Sequence, residues 1–314
     1  MAPPSRIGTT GRRVCPLSAL ASDLPTPFRH ENDRRSFKAV LNIVSGLLGL
    51  SLLAGFVGAL SGLGGGVFIV PGLVILAHMP MQVAVSASLI SVVATSAGAS
   101  VAFVRDGWTN LRVAMILECA TVTGALVGAY LAGVVPHKVL ELLFALMMLQ
   151  SAYFSLIQHR DDHVPSSDRW CTWLGLGGEI ENVDGTVASY GVVGLPWGAS
   201  LMVAAGFMSG LLGIGAGALK VAAMDYFMRL PLKVSSATSN FMIGVTAGAG
   251  ALVFLARGDV STVVAAPVAL GVTGGSLAGS RILPRANVRT LRLLFVAILL
   301  MIALEMAWRA LNGI

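Results

Sequence analysis

Between Lys38 and Arg105 the sequence contains no Asp, Glu, Lys or Arg. One bilayer crossing takes about 20 apolar residues, so this single gap has room for two or three. Over all 314 residues only 11% are charged and 55% are hydrophobic, where a soluble domain carries roughly 25% charge. A water-soluble fold is excluded on that ground. Cysteine is scarce as well: Cys15, Cys119 and Cys171 lie far apart, which excludes a disulfide framework and a cysteine-based zinc site. His78, His137, His159 and His163 show no helix-face pairing with carboxylates or cysteines, so no metal centre, no cofactor and no hydrolytic constellation is expected. The nearest pair, His159 and His163, stands beside Asp161 and Asp162 in a polar stretch. The net charge of +6 suits loops facing lipid headgroups and requires no nucleic acid.

What is present is a series of further apolar runs, over 113–136, 142–157, 192–228, 234–256, 260–280 and 293–304. The fold class is all-α and polytopic, in a membrane. Residues 1–38 are polar, contain proline and carry Arg6, Arg12, Arg13, Arg29, Arg34, Arg35 and Lys38. They read as a basic disordered tail on the cytoplasmic side. A signal peptide is the weaker reading, because the apolar core after Arg13 is short and broken by Pro16.

The chain is written twice. Gly62, Gly64, Gly66 and Val70 return as Gly213, Gly215, Gly217 and Val221, and the same spacing of 151 residues carries Pro80 to Pro231, Ser88 to Ser239, Thr95 to Thr246, Gly107 to Gly258, Gly124 to Gly275 and Phe144 to Phe295. We read two membrane repeats, 39–158 and 198–314, joined by an acidic linker, 159–197, with Asp161, Asp162, Asp168, Glu179, Glu181 and Asp184. Each repeat divides into about five helical segments, in the first half near 39–60, 67–78, 82–104, 112–134 and 138–158. If all five cross the membrane the halves are inverted, the arrangement favoured here; if the short one only dips in, they are parallel.

In hydrocarbon an interrupted helix leaves backbone groups unpaired at several kcal/mol each, unless protein or water satisfies them. The glycines at 64–66 and 215–217 are therefore read as non-helical breaks near the midplane, whose half-helix N-termini attract anions. Close helix packing is the competing reading, since Gly58, Gly62 and Gly66 recur every four residues. After each break, Pro80 or Pro231 opens a new helix. Ser235, Thr238, Ser239, Met242 and Thr246 line one face of the second of these, and Ser88, Ser91 and Thr95 hold matching places in the first, as a site-lining stripe or as hydroxyls bonded back to their own helix. Lys220 stands in an apolar run, where the first half has Ile69. A lysine at membrane depth costs about 2.5–3.5 kcal/mol, so it either faces a cavity or a partner or snorkels to an interface. Asp225 is five residues away on the same helix, pointing elsewhere and better matched to Arg229, which leaves Lys220 for a ligand. Glu118, alone in its helix, reads equally as a proton-binding group or as a hydrogen-bond acceptor for Ser or Thr.

With both halves in hand, "GLGGGVFIVPGL" with "VAVSASL", then "GIGAG" with "SSATSN", resemble the sulfite exporter TauE/SafE family of membrane permeases over about residues 45–310. Ser86, Ala87 and Ser88 stand where that family has Ala-Thr-Ser. The resemblance implies a secondary transporter, not an enzyme, for sulfite, thiosulfate or an organosulfonate such as taurine or sulfoacetate, in a bacterial plasma membrane. The expected substrate-binding set is Gly64, Gly65, Gly66, Ser86 and Ser88, then Gly215, Gly217, Lys220, Thr238, Ser239 and Asn240. An inside-negative potential drives an anion outward by about 2.3 kcal/mol per charge per 100 mV, which favours export over import. Membrane lipids are the other expected partner; a homodimer, and coupling to protons or sodium, stay open.

Overall fold

Uncharged glycine- and alanine-rich segments have no alternative in lipid but to close their hydrogen bonds within one helix. The chain accordingly folds as a mostly helical protein. The computed structural model describes residues 33–61, 65–105, 107–156, 168–181, 187–282 and 288–312. Residues 1–43 and 44–314 form separate units. The first unit is described over 33–43, helical and opening α1 (Asp33–Ser61) within the expected tail. In the second unit follow α2 (Gly66–Pro71), which runs on into a π-helical turn at Gly72–Leu76, then α3 (Met81–Arg105), α4 (Leu111–Leu131) and α5 (His137–Leu156). A short α6 (Arg169–Trp173) and a hairpin of β1 (Gly178–Glu181) and β2 (Val187–Tyr190) come next. Then α7 (Leu195–Leu212), α8 (Gly217–Ala222) with a π turn at Ala223–Phe227, α9 (Leu232–Arg257), α10 (Thr262–Ile282) and α11 (Val288–Asn312) complete the chain. Among the described residues five helices, α3, α4, α5, α7 and α9, are long and apolar enough to cross a membrane.

The element ends keep the 151-residue spacing. Gly66 and Gly217 open the short helices, Gly72–Leu76 and Ala223–Phe227 are both π-helical, and Met81 and Leu232 open the next helices. Each π turn closes the same way: the Met79 N–H donates to Leu73 O, the Leu230 N–H to Met224 O, both at 3.1 Å. His78 and Arg229 take left-handed φ values of 49° and 53° just before these donors. Pro71 invites the explanation that a missing N–H forces the π turn. Ala222 holds the equivalent place in the second copy, so the proline is not required; the closing turn is what recurs.

Glycine lets the long helices touch. A β-carbon on Gly206 or Gly210 would overlap the carbonyl oxygens of Thr121 and Ala125, and one on Gly275 would overlap Leu52 O. A β-carbon on Gly271 would lie 2.8 Å from Leu48 O. Residue numbers rise together in both sets, so α4 runs parallel to α7 and α10 parallel to the second half of α1. Along α3 and α9 they run oppositely: Gly250 faces Leu89, Gly248 faces Val93 and Gly244 faces Ser96, an antiparallel pair. The segment between α5 and α7 is folded where described. Cys171, Leu176, Tyr190 and Val192 are buried against Val113, Leu117, Met202 and Met228, while Trp170, Trp173 and Trp197 are exposed, as suits side chains at headgroup level.

Candidate functional site

The second break is visible in the backbone. Helix α7 stops at Gly213 (φ 73°, ψ 15°), Gly215 has φ 72°, and Ala216 (φ 47°, ψ 33°) precedes α8. A left-handed alanine costs about 1 kcal/mol or more, so the surrounding structure must hold it. In the first half Gly65 (φ −69°, ψ −17°) caps α2, and Gly64 lies outside the described residues. Gly66 and Gly217, expected within the breaks, are instead the first helical residues after them. Their helices begin there because the carbonyls just upstream already accept helical N–H groups: Phe68 and Ile69 donate to Gly65 O, and Lys220 donates to Ala216 O.

Serine ties the breaks down. The Ser88 hydroxyl donates to Gly213 O at 2.7 Å and lies 3.3 Å from Gly66 O; Ser239 donates to Gly217 O at 3.3 Å. Both are fully buried. Of these two expected site residues, Ser88 satisfies Gly213 O, the carbonyl on which α7 ends, whereas Gly66 O and Gly217 O lie in the first turns of α2 and α8 and gain a second donor. Three others are engaged differently. Ser86 bonds to Val83 O and, across the fold, to Asp259 O; Thr238 accepts the Asn110 N–H; the Asn240 amide returns to Ser236 O on its own helix, while its backbone oxygen accepts the Ser96 hydroxyl.

Lys220 is 0% exposed. Its ammonium donates to Met242 O at 3.2 Å and to Thr246 Oγ1 at 2.5 Å, and the Thr246 hydroxyl lies 2.6 Å from Glu118 Oε1 and 2.7 Å from Met242 O. Lys220 does have protein partners: a carboxylate on α4 faces it through one threonine. The physical reason is that a buried ammonium needs a counter-charge, and the packing of α4 against α9 brings it. Even so, two described hydrogen bonds serve three N–H donors, and Glu118 Oε2, in a residue 8% exposed, has no hydrogen-bond partner among the described residues. Thr121, one turn along, donates to the Glu118 backbone oxygen. Ser209, fully buried in the last turn of α7, also has a hydroxyl without a partner.

Glu118, Thr246 and Ser209 are absent from the site set expected from sequence. The signal for Glu118 was its isolation as the one charge between Arg112 and Lys138; Thr246 already lay on the hydroxyl stripe; Ser209 gave none. Among the described residues no cluster of His, Cys, Asp and Glu could hold a metal ion, and His159 and His163 lie outside them.

The profile described as sulfite exporter TauE/SafE matches residues 47–306. The chain is 25% identical over 269 residues to a probable membrane transporter protein, YunE, of Bacillus subtilis (strain 168), covering 83% of this chain and 96% of that protein. It is 26% identical over 233 residues to a second, YdhB, of the same organism, covering 74% of this chain and 85% of that one. No solved structure matches it. A profile that spans both glycine breaks, the serines that hold them and the Lys220 to Glu118 chain shows that this protein belongs to the sulfite exporter TauE/SafE family and is a membrane transporter.

Proposed function

We propose that the protein exports a small sulfur-containing anion, such as sulfite, thiosulfate or an organosulfonate, across the bacterial plasma membrane. The observation that carries the reading is Lys220: a fully buried cation, four residues past a left-handed break, with one N–H donor beyond its two described bonds. A dianion is driven outward by the potential at about 2.3 kcal/mol per charge per 100 mV.

We read 39–158 and 198–314 as inverted repeats, with the N-terminus cytoplasmic. Matching element ends and the paired bonds from Ser88 to Gly66 and from Ser239 to Gly217 support the repetition. Helix directions support the inversion. The connections from α3 to α4 and from α9 to α10 are short, so each pair reverses direction. Since α9 opposes α3, α7 follows α4 and α1 follows α10, the first helices of the two halves point oppositely.

The test is a binding assay on the purified protein with sulfite, thiosulfate, taurine, sulfoacetate and sulfate, repeated for Lys220→Met and for Lys233→Met, an exposed lysine. Loss of a charge-assisted bond worth about 1.5–3 kcal/mol weakens binding by roughly tenfold to a hundredfold in the first variant. The second should match wild type. Wild-type affinity in Lys220→Met would move the site elsewhere, and no binding of any of these anions would end the reading.

A further inference from the structure

We propose that Glu118 is a proton-binding site coupled to the anion site, so that each anion bound at Lys220 is accompanied by one proton on the Glu118 carboxylate. This rests on the anion reading above. The geometry is a three-membered chain across three helices: Lys220 on α8, Thr246 on α9 and Glu118 on α4, with contacts of 2.5 and 2.6 Å. In the empty carrier the ammonium and carboxylate neutralise each other through the threonine. An anion at Lys220 places a second negative charge beside the first, in a site from which water is excluded. Like charges at such range disfavour the ionised form, and Glu118 takes up a proton.

The donor inventory accommodates that step. Among the described residues Oε2 has no hydrogen-bond partner, and it is buried, so it has both a vacant lone pair and a reason to be neutral. Thr246 has one hydroxyl hydrogen and two acceptors within reach, Glu118 Oε1 at 2.6 Å and Met242 O at 2.7 Å. When Oε2 is protonated, the threonine turns its hydrogen to Met242 O and still accepts from Lys220, whose full charge then faces the anion. One O–H bond forms, the proton comes from solution, and nothing is oxidised or reduced.

The surrounding charges leave Lys220 as the partner of this titration. Helix α7, packed on α4, carries no titratable residue. On α9 the charged residues are Lys233 and Arg257, at its two ends. On α4 itself Arg112 is exposed and donates to Gly175 O, and Cys119 is exposed. On α5, packed on α8, Glu141 is the other buried carboxylate, and it serves as a control. The proton lowers by one the charge that crosses with each anion: a dianion still carries one negative charge outward, and a sulfonate monoanion moves without net charge.

The experiment uses the full chain in proteoliposomes with a pH indicator in the lumen and thiosulfate as the probe, a strong-acid dianion that brings no proton of its own. Sulfoacetate and taurine are run alongside. Wild type should change luminal pH by one proton per anion moved, and its dissociation constant should rise about tenfold per pH unit on the alkaline side. Glu118→Gln should show a dissociation constant flat with pH and anion movement without a luminal pH change; Glu141→Gln should keep the wild-type slope. Anion flux through wild type without proton movement overturns the proton site alone, and this count decides the matter even if Glu118→Gln does not fold. The wild-type slope persisting in Glu118→Gln also overturns it. Absence of saturable flux for every probe in wild type overturns the anion reading and the proton site together.

Discussion

Two places in this molecule, set 151 residues apart, have matching helix starts and π turns and differ in chemistry. In one, Lys220, Thr246 and Glu118 form a buried chain of donors and acceptors. At the matching positions stand Ile69, Thr95 and Ala269. Thr95, without a cation or a carboxylate to meet, bonds back to Ser91 O and Val92 O on its own helix. The parts that hold the two breaks are the same in both: a serine on the next helix, glycine contacts between long helices, and a π turn closed through a left-handed residue. Matching element ends thus frame both places, and among the described residues the Lys220–Thr246–Glu118 chain stands at one of them. A second pair would put two more charges into hydrocarbon, at several kcal/mol of desolvation each.

The sharpest way to break this comparison is to remove one charge at a time. Lys220→Met leaves Glu118 buried beside no cation and should lose about 3 kcal/mol of stability. Lys220→Met with Glu118→Gln should recover most of that loss, and Ile69→Met should cost little. Thermal unfolding of the purified protein measures all three. A double variant no more stable than Lys220→Met alone would show that the two groups do not compensate each other.

Next in size are the glycines that the two halves share. Gly206→Ala and Gly55→Ala each press a methyl group into a carbonyl of the neighbouring helix, at Thr121 and at Val272. Each should cost about 1–3 kcal/mol, and the two losses should be similar. Gly46→Ala, where an added β-carbon meets nothing, should be neutral in the same assay. Unequal costs at 55 and 206 would separate the packing of the halves.

The smallest effect concerns the segment that has no counterpart before the first half. Asn110 caps α4 by accepting the Val113 N–H, and its amide reaches Leu176 O at 2.8 Å and the Tyr190 hydroxyl at 3.1 Å. Burial pushes the Cys171 thiol above its ordinary range, so little thiolate is present at neutral pH and labelling should be slow. Asn110→Ala loses a cap worth about 1 kcal/mol and should speed maleimide labelling of Cys171. Ser261→Ala, at the matching position, should leave the rate unchanged. The opposite ranking would place the clamp elsewhere.

Most element boundaries were legible from punctuation alone. The segment read as 82–104 is α3, Met81–Arg105, and that read as 138–158 is α5, His137–Leu156, because proline, glycine and the first charge mark helix ends whatever packs around them. The site was legible only in part. Lys220 stood out as a charge in an apolar run, but its carboxylate is on another helix, 102 positions earlier, and a side chain's partner across a bundle leaves no periodic trace. The serines stood out as a stripe, yet a stripe does not say whether a hydroxyl faces a ligand or a broken helix. Ser88 faces the carbonyl on which α7 ends, and Ser239 a carbonyl in the first turn of α8.

What the sequence by itself determined is the medium, the helical segments, the places where they break and the 151-residue spacing, since all of these follow from hydropathy, chain stiffness and the covalent limits of glycine and proline. Tertiary structure decided which helices touch and in which direction. That set α4 against α9 and brought Glu118 to Thr246 and Lys220, because the interaction of a buried charge depends on distance in space, and the chain order does not contain it.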